Sequence, residues 1–318
     1  MKRSIALAAL IVAALWNQSA GAQAYPSKLV RLLCWTSAGS PLDVMMRQIG
    51  KQFGELFNQT FVVENRPGGE GVLAMSLAQN APADGYTILS TTSSMAFAMA
   101  ASDHMKFGPA DFIILPALQA EPSAVAVRAD SPFRTMKDFI DAIRARPDKI
   151  SVGGFSSAGF HQYVFYRLQQ VGGFKSIWVP FKGGGDVAIA LLGGHIDVAV
   201  MTPSSGLAQL KSGEIRLLGI SSNGRNEYFP DVPTFKEQGY DVVEELWRSV
   251  MVKTGTPKPV IDTLMAAADK MKTTKQWQDF STLNMQSSMN ISLDAMQARV
   301  RADIASNREF LTAAGLRK

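Results

Sequence analysis

Leu29-Val30-Arg31-Leu32-Leu33-Cys34-Trp35 is an apolar run interrupted only by Arg31, and Ala38-Gly39-Ser40-Pro41 follows it as a turn. Beyond the turn, Met45, Ile49, Phe53, Leu56 and Phe57 recur at helical spacing, which predicts a helix ending near Phe57. Phe61-Val62-Val63 then supplies a second strand. Strand, junction of small residues, helix and strand in that order make a βαβ unit, the building block of an α/β fold.

The same alternation runs through the rest of the chain. Strands are expected at Tyr86–Thr91, Ala124–Val127, Ile150–Gly153, Ile177–Phe181, Ile196–Val200, Ile215–Ile220 and Arg248–Val252. Helices are expected at Val72–Gln79, from the cap-like Thr135-Met136-Lys137-Asp138 to about Arg146, at Ala158–Gln170 and at Asp186–Leu192. The end of the chain turns helical, with Val260–Met271, Gln276–Leu283 and Leu293–Leu311. Such alternation predicts α/β architecture with largely parallel sheets.

Several strand-to-helix junctions are rich in Gly and Ser: Ser37–Ser40, Thr91–Ser94, Gly153–Gly159 and Gly183–Gly185. In open α/β sheets ligands bind at the carboxyl ends of strands, where these loops lie. Backbone N–H groups without helical partners at the helix starts favour an anion, and small residues let it approach the backbone. An anionic group is therefore expected to rest on N–H groups of the Ser37–Ser40 and Ser156–Gly159 loops, without an Arg as its main clamp.

Composition narrows the function further. Net charge is +5, hydrophobic content 47% and charged content 19%, which describes a folded globular chain with no block of basic residues for nucleic acid. Lys2 and Arg3, the uncharged run Ile5–Leu15 and the small residues Ala20-Gly21-Ala22 form the layout of a secretory signal peptide over residues 1–22. Cleavage is expected near Ala22 or, in a second register, Ala24, which makes the mature protein an exported one. The single cysteine, Cys34, has no partner for a disulfide and reads as a buried strand residue.

Catalytic sets are missing. His104, His161 and His195 stand at no metal-ligand spacing, and neither a Walker motif nor a Rossmann fingerprint is present, so no metal or cofactor is expected. Gly154-Phe155-Ser156-Ser157-Ala158 comes close to a hydrolase nucleophile elbow, with Ala in place of the last Gly. An exported serine hydrolase using Ser156 is thus the alternative to a non-enzymatic binding protein. It would require His195 so soon after the serine that the usual chain order of that fold is not met.

Short motifs add a resemblance. In order they are Tyr25-Pro26-Ser27-Lys28, Ala38-Gly39 followed by Asp43, and Val63-Glu64-Asn65-Arg66-Pro67-Gly68-Gly69. Asp84-Gly85-Tyr86-Thr87, Val179-Pro180-Phe181-Lys182-Gly183, Pro230-Asp231-Val232-Pro233-Thr234 and Gly255-Thr256-Pro257-Lys258 complete the series. Together they resemble the periplasmic solute-binding proteins of tripartite tricarboxylate transporters, the Bug or TctC-like family, from Tyr25 to the C-terminus. The resemblance implies a two-domain periplasmic binding protein of type II-like form, with two Rossmann-like lobes and a ligand cleft between them. One lobe would hold residues 25–122 and 243–318, the other residues 123–242. It also implies a monomer that takes a small carboxylate and delivers it to the membrane permease subunits.

Site residues carried over from the resemblance are Trp35, Thr36, Ser37, Ala38, Gly39, Ser40 and Asp43 in the first loop, and Thr92, Ser93 and Ser94 in the next. From the second lobe come Phe155, Ser156, Ser157, Ala158, Gly159 and His161, then Lys182, Gly183 and Gly184, then Met201 and Thr202. Asp43 either meets the solute or caps its helix and pairs with Arg47 one turn on. His161 either meets the solute or packs at the start of its helix, and Lys182 is either a contact or a solvated charge. Trp35 stands where the family usually has Pro, Ser40 where it has Gly, and Met201 where it has an acid. If Trp35 and Met201 face the cleft, with Phe155 and Phe160 nearby, the pocket suits a mono- or dicarboxylate with an apolar or aromatic body better than aspartate or glutamate. If they face a lobe core, that preference has no basis.

Overall fold

The computed structural model describes residues 25–101 and 107–317. The expected signal segment and His104 lie outside the described residues. The first strand, β1 (Val30–Cys34), buries Val30, Leu32, Leu33 and Cys34 completely. Its one charge, Arg31, forks onto Glu64 of the neighbouring strand β2 (Phe61–Asn65) at 2.8 and 3.0 Å, which explains how an apolar strand tolerates it. Between them, α1 (Pro41–Phe57) starts on an N-cap at Ser40 with Pro41 in its first turn and ends on Asn58 in the left-handed region. Its buried stripe includes Leu42, Met45, Met46, Ile49 and Phe53.

The chain continues with α2 (Val72–Gln79), β3 (Thr87–Thr92), α3 (Ser93–Ala100), β4 (Phe112–Ile114) and β5 (Gln119–Pro122). It then builds β6 (Ala124–Arg128), α4 (Met136–Ala145), β7 (Val152–Phe155), α5 (Phe160–Gly172) and β8 (Trp178–Phe181). Next come α6 (Gly184–Leu192), β9 (Val198–Met201), α7 (Leu207–Lys211) and β10 (Ile215–Ile220). The last elements are β11 (Glu245–Lys253), α8 (Lys258–Lys272), α9 (Lys275–Leu283), β12 (Ser287–Ser288) and α10 (Leu293–Ala313). Thr135 and Asp138 form the reciprocal capping box at α4 that their spacing predicts.

These strands make two sheets. The larger has the order β12-β5-β11-β3-β1-β2, with β4 also paired to β11, and the smaller runs β10-β6-β9-β7-β8. The expectation of largely parallel sheets is corrected. β1 is parallel to β2 and β3, and β7 to β8 and β9, as βαβ connections require. β11 instead runs antiparallel to β3, β4 and β5, and β6 antiparallel to β9 and β10. The physical reason lies in the connections. The chain enters β6 directly from β5, and β11 from the other sheet through irregular backbone, so no crossover helix fixes their direction.

One buried apolar cluster runs through both sheets, and a smaller one, including Val187, Leu191, Ile196, Met201 and Ile220, fills the far face of the smaller sheet. Every residue of α3 is buried, which is the burial expected of a helix that is apolar all round. Phe97 on it meets Tyr163 of α5 and Phe310 of α10, with ring centroids 5.7 and 6.1 Å apart.

Candidate functional site

The carboxyl ends of β1 and β7 face each other across the seam between the sheets. The first loop is held rigidly from below. Thr36 Oγ1 and Ser40 Oγ are 2.6 Å apart, and Asn65 Nδ2 donates to the Thr36 carbonyl at 3.0 Å and to Asp43 Oδ1 at 2.8 Å. Asp43 Oδ2 accepts from Gly39 N–H at 2.8 Å and from Arg47 Nε at 2.9 Å. Burial pushes the Asp43 carboxyl up, but these donors outweigh it and hold it below its ordinary value. Asp43 is only 1% exposed and both its oxygens are engaged, so it supports the loop and does not line the cleft. Its bond also takes the Gly39 N–H, and Ser40 N–H is used by the Ser37 carbonyl at 3.3 Å. The exposed residues Ser37 and Ala38 keep N–H groups that make no hydrogen bond among the described residues.

The second loop follows β7. Ser156 adopts φ 68, a left-handed conformation that costs a non-glycine residue about 1–2 kcal/mol. It is fixed there by its N–H on the Phe181 carbonyl at 3.0 Å, by Trp178 Nε1 on its own carbonyl at 2.7 Å, and by Ala158 N–H on its Oγ at 3.1 Å. Gly154 approaches Trp178 and the Val200 carbonyl so closely that a Cβ has no room. The loop ends at Gly159, the N-cap of α5, with no side-chain cap to occupy the N–H groups of the first turn.

Trp35 and Phe155 bring the loops together across the seam. Their ring centroids are 6.3 Å apart and tilted by 45°. Beside them stands a group that the sequence reading missed. Glu70, in the tight turn Gly69–Gly71, has φ 54, and that turn packs against Trp35. Burial pushes its carboxyl above the ordinary value. The signal was an acid between two glycines, Gly69 at φ 55 and Gly71 at φ 94, where the chain turns sharply.

Other expected positions fall elsewhere. Thr92 caps α3 through Ser94 N–H at 3.1 Å, and Thr92, Ser93 and Ser94 are all buried. Lys182 is exposed and makes no ion pair among the described residues, while Gly183 caps α6 and Gly184 packs against Ser205. Thr202 Oγ1 lies 2.8 Å from Ser205 Oγ. Met201 is corrected: it is 1% exposed and belongs to the core on the far face of the smaller sheet, with its methyl against Gly206. Met201 therefore gives no basis for a preference against aspartate or glutamate.

His161 follows the second of its two readings and packs near the start of its helix. It sits 5% exposed, its Nδ1 is 2.8 Å from Ser123 Oγ where the chain crosses between sheets, and it supports that crossing. Burial, followed by the nearby Arg248 charge, pulls its pKa down to about 3 from 6.5. The unfolded chain thus takes up a proton below pH 6.5 that the native state refuses until about pH 3. The contribution is full above pH 6.5 and is lost as pH falls toward 3, at about 1.4 kcal/mol per pH unit within that window. Urea midpoints from pH 7 to pH 4 should fall less steeply in His161→Gln than in the parent protein; equal slopes would contradict this.

Among the described residues the hydrolase alternative finds no machinery. Ser156 follows β7, whereas His195 precedes β9, and these strands are parallel, so the two residues lie at opposite ends of the sheet. Sequence reasoning also missed a buried pair beside the crossings. Glu121 of β5 meets Arg248 Nη2 of β11 at 2.7 Å and accepts from Ser204 N–H and Oγ, on the smaller sheet's side, at 2.6 and 2.7 Å. The available signal was a charge inside each of two otherwise buried strands.

A family model described as "Tripartite tricarboxylate transporter family receptor", TctC, matches residues 45–310. "UPF0065 protein in gbd 5'region" of Cupriavidus necator is 30% identical over 266 residues, 83% of this chain and 80% of that one. "Protein BugT" of Bordetella pertussis is 28% identical over 246 residues, 76% of this chain and 75% of its own. Among solved structures, "R. palustris Rpa4515 with adipate" has a TM-score of 0.84 at 25% identity, covering 92% of this chain and 98% of that one. "Structure of periplasmic binding protein BugD" has a TM-score of 0.82 at 24% identity, covering 92% and 100%. The fold is that of the two-lobed periplasmic binding proteins.

Proposed function

Since the chain belongs to the tripartite tricarboxylate transporter receptor family, we propose that this solute receptor captures a small carboxylate in the cleft between its sheets and delivers it to the membrane permease subunits. The observation that carries the reading is the meeting of the two Gly/Ser loops across the seam, joined by Trp35 and Phe155. N–H groups of Ser37 and Ala38 on one side, and of the first turn of α5 on the other, are free to hold an oxyanion. Thr36, Ser40, Thr92, Ser93, Ser157, Ala158, Gly159 and Gly183 form or support these walls. Trp35 Nε1 and Ser93 Oγ are buried and make no hydrogen bond among the described residues, as do groups that await a ligand or water. Malate and adipate are bound by proteins of the same fold, which favours a dicarboxylate or a monocarboxylate of that size.

In this reading the lobes comprise residues 25–122 with 243–318, and 123–242. The division agrees with sheet membership, since β5 and β11 end and begin beside the crossings. The crossings are tied by Ser123 N–H on Ser221 Oγ at 2.8 Å and by Glu244 N–H on the Ser221 carbonyl at 2.8 Å, a compact place for a hinge. Family receptors are periplasmic; export on residues 1–22, cleavage near Ala22 or Ala24 and a monomeric mature chain complete the proposal.

A thermal-shift screen of aliphatic and aromatic mono- and dicarboxylates tests it. A ligand at a hundred times its Kd raises stability by about 2.7 kcal/mol, a readily measured shift in melting temperature. A panel in which no carboxylate shifts the transition would refute the proposal.

A further inference from the structure

Away from the two anion loops, the larger sheet's side holds a cavity of about 220 Å³. Ile49 and Phe53 of α1, Leu264 of α8, Val250 of β11 and Ile291, just before α10, line it. Ile49, Phe53 and Leu264 are each 2% exposed or less, so the space lies inside the lobe and is not a surface groove. The polar groups of its wall are already satisfied. Leu115 N–H donates to the Val250 carbonyl at 2.9 Å, and the carbonyls of Leu115 and Pro116 lie 2.7 and 3.2 Å from Ser249 Oγ. The two charged residues of the lining, Lys272 and Asp269, pair with each other at 3.0 Å. Among the described residues, no lining side chain holds a buried polar atom without a hydrogen bond.

That chemistry selects the occupant. Protein interiors are close-packed, and few of their spaces exceed a water molecule. Water is a poor filling for this one, because a buried water needs about two to four polar partners and the wall offers none to spare. A charged occupant would lose its hydration and find no free counter-charge. An apolar molecule instead restores dispersion contacts to the lining. An apolar cavity of about 150 Å³ already admits benzene, so this one takes a molecule of that size or somewhat larger. The Phe53 ring and the Met265 thioether both line it, and both favour an aromatic partner. Met265 and Ala268 on α8 are only partly buried, which gives a way in from solvent. We infer that this cavity is a second binding site, separate from the carboxylate cleft, for a small neutral aromatic molecule between benzene and indole in size.

Calorimetry with toluene, and with benzylamine as its cationic counterpart near pH 7.5, tests the inference on the parent protein. Toluene should bind at one site, and benzylamine at least tenfold more weakly. Ala268→Phe, which fills the cavity from α8, should weaken toluene at least tenfold. Ala268→Leu, a smaller filling, should weaken it in the same direction and serves if the larger side chain prevents folding. Crystals of the parent protein, under xenon pressure and soaked in toluene, should show both probes between Phe53, Leu264 and Ile291. No heat with toluene together with no xenon at that place would overturn the inference. So would benzylamine binding as tightly as toluene, toluene affinity unchanged by either substitution at Ala268, or toluene lodged between Trp35 and Phe155.

Discussion

Replacing Glu121 with alanine lowers the free energy of unfolding by about 3–5 kcal/mol, the range for removing one partner of a buried ion pair. Glu121 is 1% exposed and Arg248 is 3% exposed, so neither charge can fall back on solvent. Glu121 also takes both donors of Ser204, and the substitution leaves these and Arg248 Nη2 without their acceptor. Arg248 Nη1 already lacks a partner among the described residues, so the guanidinium has no second carboxylate to turn to. Replacing both residues with methionine should recover a large part of the loss, because an apolar pair avoids desolvating either charge. Urea denaturation of the two single variants and the double variant measures the effect. Losses that simply add would mean that the pair is not coupled. Because Ser204 reaches Glu121 from the smaller sheet, the alanine variant should also be more expanded by small-angle X-ray scattering.

The second large effect concerns binding rather than stability. Ser157→Asp should weaken carboxylate binding by about a hundredfold, since two like charges about 5 Å apart repel by about 3 kcal/mol at an effective dielectric near 20. Ser157 is exposed, and a substitution there should change stability by no more than about 0.5 kcal/mol. Ser157→Ala should be nearly neutral for both properties, because the loop is argued to act through its backbone. Calorimetry on the best carboxylate from the screen separates the two. Equal affinity in Ser157→Asp and the parent would remove this loop from the site.

Much of the fold was legible because local signals agreed with tertiary ones. The apolar stripe of α1 and its caps gave an end at Phe57, and α2 spans the expected Val72–Gln79. The elements that escaped had weak or contradictory patterns. Gln119-Ala120-Glu121-Pro122 is polar and ends in proline, yet it forms β5 because β11 pairs with it on one side and β12 on the other. α3 was implied by the Thr91–Ser94 junction but had no bounds, because a helix buried on all sides shows no period. The antiparallel run of β11 was hidden for a different reason: a strand that enters from another sheet carries no local mark of its direction.

The site divides in the same way. Loop positions were readable from Gly and Ser at strand ends, and Asp43 from its spacing to Arg47. Side-chain facing was not readable. Trp35 and Met201 are both buried apolar residues at strand ends, yet Trp35 meets Phe155 across the seam while Met201 turns into the core. The difference rests on which face of its strand each residue occupies and on what packs there.

The central claim is that a solute carboxylate rests on backbone N–H groups from both loops at once. A crystal structure of the protein with the strongest carboxylate found by thermal shift tests this most directly. Carboxylate oxygens should lie within hydrogen-bonding distance of N–H groups in Ser37–Ser40 and in Ser156–His161, with no arginine as the main contact. A carboxylate clamped by an arginine, or seated in the apolar cavity between Phe53, Leu264 and Ile291 on the larger sheet's side, would contradict it.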